Sequence, residues 1–209
     1  MATERRVNAA GGMRLERREG VAGPGTLVGY AAIFESRSSP IGGRFIETIA
    51  RGAFRTTLAK TPDVRAWWNH DPSRILGRTK AGTLRLAADE RGLRYEIDLP
   101  DTQAGRDAAL SVERGDVSQS SFAFRTISDS WRTVGKGEER TLLEVDINDG
   151  DVSPVTYPAY PSTEVALRDA AASVYEERRA VLARDDCARM RLALLDHDAA
   201  PTKNERKHR

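Results

Sequence analysis

Hydrophobic and polar positions alternate most cleanly in "TLRLAADERGLRYEIDL", where Leu84 and Leu86 are followed, across the turn residues of "ADERG", by Leu93, Tyr95, Ile97 and Leu99. A period of two with one apolar face predicts a β-hairpin buried on one side. Upstream, "TLVGYAAIFES" predicts a strand and "RFIETIARGAFRTTLAK" a strand that passes into a short helix. "DVRAWWNHD" predicts a further strand, stopped at Asp71 and Pro72 because proline cannot donate to a ladder. "DTQAGRDAALSVERG" carries a capping residue at Asp101 or Thr102 and a terminating Gly115, which bracket a helix of about three turns. "GDVSQSSFAF" then predicts a strand, "RTLLEVDIN" another with Leu143, Val145 and Ile147 on one face, and "DVSPVTYPAY" a last short strand closed by prolines.

Many short strands with two short helices predict a mostly β (α+β) fold, a small β-barrel with helices packed outside it. Residues 1–25 are charged and punctuated by glycine, which predicts a flexible, partly ordered segment with one strand near "MRLERRE". Residues 26–168 hold the folded domain. Residues 169–209 predict a charged helical tail, with Val174, Val181 and Leu182 at helical spacing and a disordered end, "APTKNERKHR". The tail reads either as a solvated extension or as an arm for a partner.

Charge narrows the partners. The 33 basic and 31 acidic residues leave a net charge of +2, which provides no global field for nucleic acid. No apolar stretch has the length of a membrane span, and "MATERRVNAAGG" lacks the apolar centre of a signal peptide, so a protein made and kept in a cytoplasm is expected. The single cysteine, Cys187, rules out a disulfide framework or a cysteine-bound zinc within one chain. Neither a phosphate loop nor a dinucleotide fingerprint occurs, so no cofactor and no metal are expected.

The chemistry is concentrated in few residues. Strand alternation puts Val117, Gln119, Ser121 and Ala123 on one face, and Ser118, Ser120, Phe122 and Phe124 on the other. With the phenylalanines turned to the core, Ser121 points away among small neighbours, its hydroxyl accessible. A serine hydroxyl is a poor nucleophile without a base to take its proton. Of the three histidines, His197 and His208 fall in the tail, so the base is His70 or there is no serine–histidine chemistry. An acid would hold the imidazole tautomer; Asp151, Asp149, Glu144, Asp146 and Asp71 are the candidates, with Asp151 preferred because it opens the "DVSPV" strand. "WNHD" is similar to part of a metal-dependent nuclease motif, but such a site needs several converging ligands and the histidines are missing. Trp67 and Trp68 lie in no basic stripe and read as core rather than as a base-stacking platform.

Taken in order, "GYAAIF", "ETIARGAFRTTL", "WWNHDPSRILGRT", "ERGLRYEIDLPDTQAGRD", "GDVSQSSFAF" and "DVSPVTYPAYPST" resemble the successive motifs of the prohead (capsid maturation) protease family of tailed bacteriophages. The resemblance covers roughly residues 27–168, and it implies a fold related to the herpesvirus assembly proteases. It implies a serine endopeptidase that acts on scaffold and major capsid protein, and on itself, inside the immature phage shell in the host cytoplasm. By position His70 matches the motif histidine, Ser121 the nucleophile, and Asp151 the place where the family usually has a glutamate before Val-Ser. Herpesvirus enzymes use a second histidine as third member; this chain has none there, which passes the role to an acid or to water. Ala123 replaces the family's usual glycine, and the doubled Ser120–Ser121 leaves two registers open.

On this reading His70 takes the Ser121 proton during attack on a peptide carbonyl, and backbone N–H groups stabilise the oxyanion; Arg125, four residues after the nucleophile, reads as a solvated arginine in preference to an assisting group. Two other classes stand beside it: a capsid assembly module that keeps the fold without turnover, and a metal-dependent nucleic-acid hydrolase built around His70.

Overall fold

The computed structural model describes residues 3–8, 12–17, 23–135, 137–156, 175–185 and 189. Two compact units divide the chain, Met1–Arg168 and Asp169–Arg209. In the second unit, the described residues 175–185 are helical, and Val181 and Leu182 are exposed. Val174, Cys187, His197, His208 and the end expected to be disordered lie outside the described residues.

The first unit is mostly β, with its strands curled into a half-barrel and two helices. One sheet runs β1 (Glu4–Asn8), β9 (Gln119–Val134), β10 (Gly137–Asp146), β4 (Phe45–Ile49), and β11 (Val152–Val155) also pairs with β9. A second runs β2 (Arg14–Glu16), β3 (Thr26–Ile33), β8 (Gly92–Asp98), β7 (Leu84–Ala88), and β5 (Arg65–Trp68) pairs with β6 (Asp71–Arg78). The predicted 84–99 hairpin forms, and Tyr95 and Ile97 are fully buried with Leu27, Phe54, Phe122 and Phe124 in one core. Helix α1 (Arg55–Ala59) follows β4, and α2 (Gln103–Glu113) begins where the Thr102 hydroxyl accepts from Gly105 N–H. Gly115, at φ 81, supplies the left-handed residue that ends it.

Three local expectations change. The strand of "DVRAWWNHD" ends at Trp68 rather than at Pro72. Asn69 and His70 then form a two-residue hairpin loop at φ 53 and 59, the positive angles a tight hairpin needs, and Pro72 lies inside the returning strand. Leu143 does not share the buried face of Val145 and Ile147: irregularities at 142/144 and 144/145 change the parity of β10, so Leu142 is buried and Leu143 exposed. Finally, β1 is a strand that the charged start of the sequence did not suggest.

What holds β1 is a buried ion cluster. Glu4 and Arg6 face the same side; Arg6 Nε donates to Glu47 Oε1 at 2.6 Å, and Arg140 Nη1 donates to Glu4 Oε2 at 2.7 Å and to Glu47 Oε2 at 3.0 Å. Arg140 Nε also reaches Asp129 Oδ2 at 2.7 Å. Buried charges are costly unless each is paired and hydrogen-bonded, and here β1, β4, β9 and β10 supply the partners to one another.

Candidate active site

The hairpin loop at Asn69–His70 is clasped to β11. Asn69 N–H donates to the Pro154 carbonyl at 3.0 Å, and Asn69 Oδ1 accepts from Thr156 N–H at 2.9 Å. Pro154 fits its strand without loss. Ala123 N–H bonds the Asp151 carbonyl, so hydrogen-bonded pairs fall at 151/123, 153/121 and 155/119, while Pro154 stands at the non-bonded pair with Ser120.

This clasp brings together two residues 81 positions apart: His70 Nδ1 lies 2.5 Å from Asp151 Oδ2, with the histidine side chain 19% exposed and the aspartate 2%. With the carboxylate oxygen as acceptor, the contact is made by the Nδ1–H tautomer of the imidazole, in which Nε2 is the ring nitrogen with the lone pair. Asp151 Oδ2 also accepts from the Ser153 hydroxyl at 2.6 Å. Three of the other acids considered, Asp71, Asp146 and Asp149, have partners elsewhere, and Glu144 lies half-buried in β10. Asp71 caps Ser73 through its own turn, Asp146 pairs with Arg125 at 2.7 Å, and Asp149 lies 3.7 Å from Arg65. Arg125 is thereby tied to Asp146 instead of standing free.

The two serines separate by face. Ser120 is buried with the phenylalanines, its hydroxyl 2.7 Å from that of Tyr95. Burial pushes the Tyr95 phenol up to about 12, with the Ser120 hydrogen bond opposing, so this pair is a neutral core contact. Ser121 lies opposite Val7 on one side and Ser153 on the other. Directly paired residues project on the same face, so Ser121 shares its face with Ser153 and Asp151.

One expectation fails here. The Ser121 hydroxyl is not accessible: the residue is 0% exposed, because β9 is a central strand and Val7 and Ser153 close in on either side. Among the described residues its oxygen makes no hydrogen bond, with His70 or any other group. Thus the structure joins His70 to Asp151 and lines up Ser121 on the same sheet face, but leaves the serine unpaired. Val117 and Ser118 precede the strand, and Val117 packs in the core rather than beside Ser121. Trp68 is buried in the core and Trp67 half-buried.

Ser153 was not singled out from the sequence, although "DVS" places it two residues from Asp151 and hence on the same side of a strand. Among the described residues no group of three His, Cys, Asp or Glu side chains is placed to hold a metal ion, and no helix is long and apolar enough to cross a membrane.

No curated protein sequence matches the chain. Among solved structures it is similar to the bacteriophage T4 capsid assembly protease, at 13% identity and a TM-score of 0.45 over 74% of this chain and 99% of that one. The sequence matches the family described as caudovirus prohead serine protease over residues 13–178, most of its length, and the chain belongs to that family.

Proposed function

We propose that the chain is a serine endopeptidase that cleaves phage scaffold and major capsid protein, and itself, within the immature prohead in the bacterial host. Ser121 is the nucleophile, His70 the base and Asp151 the residue that orients it. Family membership supports a prohead peptidase. The observation that carries the roles is the 2.5 Å contact of His70 Nδ1 with Asp151 Oδ2, formed between the loop after β5 and the start of β11, beside the strand that holds Ser121.

In the reaction, the Ser121 oxygen bonds to the scissile carbonyl carbon as its proton passes to His70 Nε2. Asp151 stabilises the imidazolium. The imidazolium then protonates the departing amine, the C–N bond breaks, and an acyl-enzyme remains. Water, deprotonated by His70, attacks the ester and restores Ser121. Closing the gap between Ser121 and His70 falls to substrate or to assembly, since catalytic hydrogen bonds often tighten only in the complex.

A second reading has the enclosed, unpaired Ser121 in its favour: a capsid assembly module of the same fold without turnover. Labelling with a fluorophosphonate, followed by peptide mapping, separates the two. The protease reading expects an adduct on Ser121 that is lost in Ser121→Ala and in His70→Asn. An adduct on Ser120 moves the nucleophile by one residue. No adduct, even with capsid protein co-expressed, favours the assembly module.

A further inference from the structure

On the face that carries Ser121, side chains from three strands stand in rows. Val7, Ser121 and Ser153 make one row, and Arg5, Ala123 and Asp151 the next. Arg5 and Asp151 thus flank β9 with their backbones about 10 Å apart, two inter-strand spacings. A small side chain at 123 leaves the path between them open, and Arg5 takes it: its Nη2 lies 3.8 Å from Asp151 Oδ1, the oxygen that His70 and Ser153 do not use. The Arg5 side chain is 42% exposed overall, yet its Nε is buried and has no hydrogen-bond partner among the described residues. Its charge thus lies within ion-pair distance of the carboxylate. β1 is fixed from its opposite face by the ion pairs of Glu4 and Arg6, and it precedes residue 13, where the family match begins.

We propose that Arg5 is a positioning residue of the His70–Asp151 pair, engaging Oδ1 of the Asp151 carboxylate so that its Oδ2 stays turned to His70, and that the N-terminal strand is a working part of the site. The importance of that pair rests on the protease reading above. Other charges around it are engaged elsewhere. Arg65, which bridges Asp151 through its backbone, directs its guanidinium to Asp63 at 3.2 Å and Asp149 at 3.7 Å. Asp71, beside His70, is held by Ser73 and by Arg74 at 3.4 Å.

The test follows the His70 ring by NMR through a pH titration of the full chain in a Ser121→Ala background, with the resonance assigned by its loss in His70→Asn. A nearby cation opposes imidazole protonation, so Arg5→Gln moves the midpoint to higher pH by about half a unit. Arg5→Lys, which keeps the charge, leaves it near the parent value. With Ser121 intact, the rising limb of kcat/KM against pH moves the same way. An unmoved midpoint in Arg5→Gln, or Arg5→Lys behaving like Arg5→Gln, overturns the proposal. A shifted midpoint in a chain that cleaves nothing supports the Arg5–Asp151 coupling and counts against the protease reading instead.

Discussion

The hydroxyls of Ser120 and Tyr95 meet at 2.7 Å inside the core, which leaves the neighbouring Ser121 to face Asp151 and Ser153. Gly29 makes room for this contact, since a Cβ there would stand 2.6 Å from the Tyr95 hydroxyl oxygen. Ser120→Ala strands a buried phenol and should cost roughly 1–3 kcal/mol in a urea melt. Pairing it with Tyr95→Phe should recover most of that loss. Cleavage per folded molecule should persist in both variants.

Ser121→Ala should behave in the opposite way. Its hydroxyl is buried with no partner among the described residues, and removing such a group relieves a desolvation penalty. The expected result is a melt unchanged or stabilised by up to about 1 kcal/mol, together with complete loss of cleavage. A clear destabilisation would mean that the hydroxyl has a structural partner.

His70 sits at φ 59, which asparagine tolerates and alanine does not. His70→Asn and His70→Ala should abolish fluorophosphonate labelling alike. Alanine alone should carry an added stability loss of about 1 kcal/mol, read as a lower urea midpoint.

Gly150 precedes Asp151, and a Cβ there would lie 2.5 Å from the Ala123 carbonyl oxygen and 2.9 Å from that of Ile147. Both are backbone atoms, so the strand start must move. A misplacement near 1 Å costs on the order of 100-fold in rate; Gly150→Ala should therefore cut kcat/KM by about that factor, measured on a fluorogenic peptide.

Acid should loosen β1. Burial pushes the Glu4 carboxyl up, but the hydrogen bond and charge of Arg140 and the charge of Arg6 outweigh it and hold the group at about 2. A carboxylate depressed in the folded state stabilises it above the ordinary carboxylate range, and that contribution is lost as pH falls. Stability to urea should drop between pH 4.5 and about 2, and Glu4→Gln should flatten that slope while lowering stability at neutral pH.

The hairpin of 84–99, the capped helix ending at Gly115 and the opposite faces of Ser121 and Phe122 were legible because each rests on neighbours within one element. Alternation, caps and turn residues act over a few positions, and the chain carries them in plain order. The candidate residues His70, Ser121 and Asp151 were nameable for a related reason: scarcity left one histidine before the charged C-terminal segment, and the ordered motifs resemble a family.

Contacts that span the chain were not legible. His70 meets Asp151 across 81 residues only because a two-residue loop is clasped to β11, and Arg5 reaches the same carboxylate only because β1 pairs with β9. Leu142 displaced Leu143 from the core through a bulge that a strict period of two cannot foresee. The enclosure of Ser121 arose likewise from Val7 and Ser153, on strands far from it in sequence. Periodicity states which way a side chain points within its strand; which strand lies next to it, and so what the side chain meets, depends on the packing of the whole sheet.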